Sequence, residues 1–248
     1  MRRIDELKQE VCAANRRLGA SGLVSLTWGN VSGFDPDSRL FAIKPSGVGY
    51  SLLTAEMMVV VDLGGHVVEG SLRPSSDTPT HAELYRAFPG IRGVVHTHSP
   101  EATAWAQAGR EIPCFGTTHA DVFNGPVPIA RLLTAEEVDE DYETNTGKVI
   151  VERFGNLDPL SVPGVLVAGH GPFTWGKTPN AAVDASVSLE AIAHMARLSQ
   201  AVNPNAMTLP AYILNKHHSR KHGPKAYYGQ QERTQDDDFA FSGGDGRR

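Results

Sequence analysis

The stretch GVVHTHSPEATAWAQ (93–107) decides how this chain is read. Gly93-Val94-Val95 favours a strand, and Ser99-Pro100 before an alanine-rich segment is a helix start with proline in its first turn. A strand therefore feeds straight into a helix, with His96 and His98 at the junction. Side chains repeat every two residues along a strand, so both imidazoles fall on one side. Two such nitrogens at a strand's C-terminal end suit a divalent metal. Two hydrogen-bonded histidines in a half-buried strand fit the same spacing, and H-x-H alone does not choose between them.

Outward from this junction the chain alternates short strand signals with helices. Ile4, Leu7, Val11, Ala14 and Leu18 recur at helical spacing, with Gly19 and Ser21-Gly22 as a stop. LVSLTWGNVSGFD (23–35) predicts strand and turn, and LFAIKPSGVGY (40–50) a second strand ending in a Pro/Gly turn. MMVVVDL (57–63) and HVVEGS (66–71), joined by Gly64-Gly65, read as a hairpin. Thr80 to Phe88 reads as a short helix, and Thr134-Ala-Glu-Glu137 is a capping box. GVLVAGHGPFTWG (164–176) predicts a buried strand running into Gly-rich turns, and 181–202 a long helix. No internal repeat is present. Strands flanked by helices without strict βαβ alternation predict a mixed sheet with helices on its faces.

The 248 residues are 40% hydrophobic and carry a net charge of −5, enough chain for one well-cored domain. The mild acidity gives no electrostatic case for nucleic acid or an anionic membrane as partner. No apolar run approaches the roughly 20 residues of a membrane span. MRRIDELKQE (1–10) has no apolar core of a secretory signal, so a cytoplasmic protein with free thiols at Cys12 and Cys114 is expected. The polar, Gly-rich stretch 231–248 reads as a disordered tail behind a domain spanning 1–230.

A third imidazole, His170, follows an apolar strand between Gly169 and Gly171, residues that let backbone approach a site closely. With His96 and His98 it supplies the three nitrogens of an open metal site. His81, after the SSDTP turn, and His194, within the long helix, read as ordinary helix histidines. H-x-H also occurs in amidohydrolase barrels and cupins. The chain is short for the former, its late Asp236-Asp237-Asp238 lies in the tail, and its helices argue against the latter.

TWGNVS (27–32), KPSGV (44–48), RPSSDTPTH (73–81), HTHS (96–99), GTTHAD (116–121), GHGPFTWGK (169–177) and KHGPKAYYGQ (221–230) together resemble the class II aldolase/epimerase family. The likeness runs in one order from about residue 1 to Gln230. Within the family the chain most resembles the bacterial L-ribulose-5-phosphate 4-epimerases of arabinose catabolism. The resemblance implies a single-domain, three-layer α/β fold with a mainly antiparallel mixed sheet and helices on both faces. It implies a cytoplasmic homotetramer with active sites near subunit boundaries and one Zn²⁺ per subunit, replaceable by Mn²⁺ or Co²⁺. The implied metal ligands are His96, His98 and His170, with Asp77 as a ligand or displaced ligand.

Asp121 and Tyr228 are the implied acid/base pair. Taken alone, they read as a turn aspartate and a packing tyrosine. Gly29, Asn30, Lys44, Ser46, Gly47, Ser75 and Ser76 are the implied contacts to the phosphosugar substrate. Small side chains, hydroxyls and free N–H groups beside a lysine suit a phosphate dianion. Thr117, Thr118, Glu143 and His217 are implied around the site or from a neighbouring subunit. Where the family commonly has Tyr after the first His of KHHSRKHG, this chain has His218. Related fuculose-phosphate aldolases typically carry Glu at the position of Asp77, so Asp77 and the AYYGQ ending favour the epimerase branch.

The implied reaction is zinc-dependent inversion at C4 of L-ribulose 5-phosphate to give D-xylulose 5-phosphate. The C4 hydrogen is not α to the C2 ketone, so deprotonation cannot invert that centre. Retro-aldol cleavage of C3–C4, rotation of the aldehyde and re-addition can. Two other readings remain. One is an aldolase of the same fold acting on a fuculose- or rhamnulose-phosphate, and the other is a binding module like the adducin head domain, in which the metal ligands would be degraded.

Overall fold

The computed structural model describes residues 4–222 and 226–227. Helix α1 (Ile4–Ala20) leads into β1 (Asn30–Asp35), β2 (Leu40–Ile43), β3 (Val59–Asp62) and β4 (Val67–Glu69), a meander of antiparallel neighbours. Then come α2 (Thr78–Ala87), β5 (Gly93–His96), α3 (Pro100–Gln107), the one-turn α4 (Thr117–Ala120) and β6 (Ile129–Ala130). α5 (Ala135–Arg153), β7 (Gly164–Val167), β8 (Pro172–Gly176), α6 (Pro179–Val202) and α7 (Ala211–His222) follow. The strands form one sheet of order β4-β3-β2-β1-β5-β8-β7-β6, in which β6–β7 is the parallel pair and the other neighbours run antiparallel. No helix among the described residues is long and apolar enough to cross a membrane.

The period-two pattern of the strands splits the core across the sheet. Val31, Ala42, Val60 and Val95 bury against Leu7, Val11 and Leu18 of α1 and the start of α6. Phe34, Phe41, Val59, Val61 and Val94 point the other way, with Tyr85 of α2 and Ile150 of α5. Two helical layers thus sandwich the sheet, as expected. Gly93 has no room for a side chain, because a Cβ there would meet the Thr178 carbonyl at 2.5 Å and the Pro179 backbone at 2.6 Å. That contact presses the first turn of α6 onto β5.

Several expected elements take another form. The chain from 23 to 29 is irregular, and β1 begins only at Asn30. The stretch 164–176 is two strands, because Gly169-His170-Gly171 turns the chain back and pairs β7 with β8. His119 and Ala120 close the one-turn α4 just before Asp121. The expected capping box is present, with Thr134 Oγ1 accepting from the Glu137 N–H and the Glu137 carboxylate accepting from the Thr134 N–H. The expected tail from residue 231 lies outside the described residues.

Helix α3 starts without a side-chain cap from Ser99. Glu190 of α6 supplies it, accepting from the N–H groups of Glu101 and Ala102 at 2.8 and 2.9 Å. Glu101 in turn is clasped by Arg197 and His194, hydrogen bonds that hold its carboxyl down at about 2, below the ordinary 4.5. A carboxyl depressed in the folded state contributes stability above its unfolded pKa and loses it as pH falls through the folded value. Glu101→Gln is therefore expected to flatten the stability profile between about pH 4.5 and 2 in urea titrations. An unchanged acid limb would show that the α3–α6 clasp carries no pH-dependent stability.

Candidate metal centre

The centre forms at the edge of the sheet where β5 ends and its neighbours β1 and β8 begin. In register, Asn30 of β1 and Phe173 of β8 both face His96, the last residue of β5. The His96 ring stacks on Phe173 at 4.2 Å and 17°. Its Nδ1–H donates to the Pro172 carbonyl at 3.0 Å, which fixes the tautomer and leaves the lone pair on Nε2. His98 lies beyond the end of the strand, yet its Nε2 comes within 3.0 Å of His96 Nε2. The β7–β8 turn brings in His170, with ring centroids 4.7 Å from His96 and 5.1 Å from His98. The turn runs tight against His96: a Cβ on Gly171 would meet the Thr97 carbonyl at 2.9 Å.

One nitrogen from each of the three histidines falls within 4.8 Å of the other two. Burial pushes the His170 imidazole down to about 4, with His96 and His98 adding to the effect, and it lowers His98 in the same direction. Both imidazoles are therefore neutral at pH 7, the form that a metal ion takes up. Two ring nitrogens 3.0 Å apart, one with its lone pair fixed, need a shared proton or a cation between them. An all-imidazole donor set suits zinc and neighbouring transition ions and not the hard oxygen-seeking cations. The residues present fit a divalent ion with coordination positions left open.

These histidines sit in a cleft of about 540 Å³. Of the residues named from the sequence, Gly29, Asn30, Lys44, Ser46, Gly47, Ser75, Ser76, Asp77 and Glu143 line it beside them. Asp77 precedes α2 but caps nothing with its side chain. Its Oδ2 accepts instead from Asn30 Nδ2 at 2.6 Å, and that same amide also donates to Ser75 Oγ at 2.9 Å. Held this way, Asp77 stands beside the three-nitrogen cluster and not within it. Burial would raise its carboxyl, but the imidazoles of His96 and His81 and the Asn30 amide outweigh that and keep it ionised. Among the described residues, Asn30 Oδ1 is a buried acceptor without a donor.

Lys44 is 2% exposed, and its ammonium donates to the Thr27 and Pro45 carbonyls at 3.3 and 3.4 Å. Burial lowers its pKa. Trp28 and Tyr142 complete the walls. Neither was singled out by sequence, although a tryptophan inside Thr-Trp-Gly-Asn that ends up 55% exposed is a recognisable sign of a binding wall. His81 is fully buried and lowered to about 3 by that burial. Its Nδ1 pairs with Ser32 Oγ at 2.7 Å, while its Nε2 is buried without a hydrogen-bond partner among the described residues.

The remaining named residues gather elsewhere. Asp121 lines a second cavity with Trp175, Lys177 and Lys221. Its carboxylate receives Arg220 at 2.7 and 3.1 Å and His217 at 3.0 Å, with Lys221 at 3.5 Å. Those bonds outweigh burial and hold its pKa below the usual carboxylate range. Thr117 opens α4 on the surface, and Thr118 lines a third, smaller cavity. Within one chain, then, Asp121, Thr117, Thr118 and His217 do not meet the histidines. Tyr228 lies outside the described residues.

The family model of the class II aldolase and adducin N-terminal domain matches residues 9–197. Among solved structures, an L-fuculose 1-phosphate aldolase is 26% identical over 87% of this chain and 95% of its own, with a TM-score of 0.73. The L-fuculose-1-phosphate aldolase from Thermus thermophilus is also 26% identical, over 81% of this chain and 99% of its own, with a TM-score of 0.61. YgbL from Klebsiella pneumoniae shares the fold at 23% identity over 87% and 99%, with a TM-score of 0.70. With the match spanning most of its length, this chain belongs to the class II aldolase and adducin N-terminal domain family.

Proposed function

We propose that the chain is a metal-dependent enzyme that interconverts L-ribulose 5-phosphate and D-xylulose 5-phosphate by inversion at C4. The observation that carries this reading is the convergence of His96, His98, His170, Asp77 and Lys44 on one cleft. A Zn²⁺ held by the three imidazoles, or Mn²⁺ or Co²⁺ in its place, supplies Lewis-acid stabilisation of the charge that develops on the substrate oxygens.

The chain's own groups do the rest. A base takes the C4 hydroxyl proton, C3–C4 breaks with its electron pair left on the three-carbon fragment, and glycolaldehyde phosphate is released in place. Lys44, Ser46, Ser75 and the backbone at Gly29 and Gly47 hold the phosphate, so that the aldehyde rotates without escaping. The bond then re-forms on the opposite face. Asp121 and Tyr228, presented by a neighbouring copy in a tetramer, serve as proton acceptor and donor on the two faces. The separation of Asp121 from the histidines within one chain favours such a boundary site.

Asp121→Asn is expected to leave bound metal unchanged and to slow turnover about 100-fold, the low end for loss of a general acid/base. Metal analysis beside the turnover assay reads this, and full activity would remove Asp121 from the mechanism. A second reading, an aldolase that releases its aldehyde, is favoured by the 26% identity to an L-fuculose 1-phosphate aldolase. Carbon-13 NMR of L-ribulose 5-phosphate with the protein, with and without chelator, separates the two. Chelator-sensitive D-xylulose 5-phosphate supports the epimerase. Free glycolaldehyde phosphate as the main product supports the aldolase, and no reaction in the metal-loaded sample overturns both for this substrate.

A further inference from the structure

Tyr142 stands at a break in its helix. Asp141 takes φ −166 and ψ 91 inside α5, and its Oδ1 accepts from the Thr144 N–H at 3.1 Å, so a second helix starts at Tyr142. The run DEDYETN (139–145) contains neither Pro nor Gly to mark this break. Around it the backbone is pinned from several sides. Thr146 Oγ1 donates to the Tyr142 carbonyl at 2.8 Å, Asn145 Nδ2 to the Glu137 carbonyl at 2.8 Å, and Thr80 Oγ1 of α2 to the Glu143 carbonyl at 2.6 Å. The last bond ties this segment to the helix that Asp77 precedes. From that fixed origin the Tyr142 side chain reaches over the cleft to His170, with 3.4 Å between its hydroxyl and Nδ1 and 6.1 Å between the rings.

We propose that Tyr142 is a positioning residue for His170: its phenol oxygen accepts the Nδ1–H and so leaves the Nε2 lone pair turned toward the other two imidazoles. His96 is set in the same way by the Pro172 carbonyl, a backbone acceptor that no substitution of its own side chain removes. The His170 ring sits on a turn between two glycines and relies on a side chain from a different helix for the same service. A ligand-bearing imidazole needs such an acceptor on its far nitrogen, and losing one typically weakens metal binding about 10–100-fold. The inference rests on the three-imidazole reading of the cleft.

The test uses the full chain, and Tyr142→Phe removes the hydroxyl while keeping the ring. Zn²⁺ affinity is measured by chelator competition for the unaltered protein, Tyr142→Phe and His98→Asn. Long-range ¹H–¹⁵N correlations report the His170 tautomer in the metal-free protein at pH 7.5. The expected result is one equivalent bound by the unaltered protein, about 10–100-fold weaker binding by Tyr142→Phe, and a His170 that is Nδ1-protonated only while the hydroxyl is present. If the unaltered protein binds one equivalent and Tyr142→Phe matches it within twofold, the positioning role is overturned while the metal site stands. A His170 tautomer that ignores the substitution overturns it as well. If the unaltered protein binds no Zn²⁺, or His98→Asn binds as tightly, the metal site itself is overturned.

Discussion

His98→Asn is expected to abolish metal binding and turnover together while leaving the fold intact. His98 is an exposed residue beyond the end of β5, unlike the buried His96, which stacks on Phe173 and bonds to Pro172. Removing its ring empties no core but takes away the partner of the buried His96 Nε2, so the metal-free melting temperature should fall by about 2–4 °C, as for the loss of about 1 kcal/mol. The consequence for the ion is far larger. Three protein ligands make an open catalytic site, and two imidazoles do not hold zinc against cellular competitors. Losing several kcal/mol of charge stabilisation at the substrate oxygens corresponds to a rate loss of at least about 1,000-fold. Metal analysis of the purified variant and a single-turnover assay check both halves. Retained stoichiometric metal would mean that His98 is not a ligand.

Gly93→Val is expected to give the largest loss of stability. The new Cβ would meet backbone, not a flexible side-chain end, at the Thr178 carbonyl and at Pro179. Thr178 caps α6, with Oγ1 accepting from the Ala181 N–H, so the obstruction cannot move without disturbing that helix start. On its other edges Gly93 pairs with Gly33 and Gly176, which fixes the strand from both sides. Overpacking usually costs about 1–3 kcal/mol, and the rigid neighbours argue for about 3 kcal/mol or more here. Urea unfolding measures it. A loss below about 1 kcal/mol would show that β5 and α6 separate easily, which the tight contact denies. Because His96 ends the same four-residue strand, weakened metal binding should accompany the destabilisation.

The sequence carried the parts of this molecule whose signals are local. The β3–β4 hairpin follows from two valine runs around Gly64-Gly65, and α1 from apolar residues at helical spacing. The capping box of α5 is visible as Thr-Ala-Glu-Glu. The three histidines are legible because His96 and His170 follow apolar runs and His98 stands two residues beyond His96. Other elements lack such signals. α7 buries none of its described residues and so shows no apolar stripe to read. The β7–β8 hairpin hides in one continuous apolar stretch whose only punctuation is Gly-His-Gly. Tyr142 lies in a polar, exposed-looking helix, and its position depends on a backbone break stabilised by Asp141 and on a hydrogen bond from α2. Tertiary contacts set it, and spacing does not reveal it. Asp121 shows the converse: its motif is plain in the sequence, but the chain folds it onto α7 and away from the histidines.

The strand order has a consequence for how the protein assembles in time. The β1–β4 meander pairs strands that are consecutive in sequence and can form early, because far less loop-closure entropy opposes it than opposes the later pairings. The cleft cannot form at that stage. Its floor requires β5 to insert beside β1 and β8 to arrive beside β5, pairings that cross long stretches of chain. Affinity for the ion therefore switches on only when the most distant pairings close, and the unfolded chain has no comparable site. Free Zn²⁺ should then raise the thermal midpoint by mass action and slow unfolding, with little effect on how fast the meander collapses. The metal centre doubles as a clasp on the last-formed seam of the sheet.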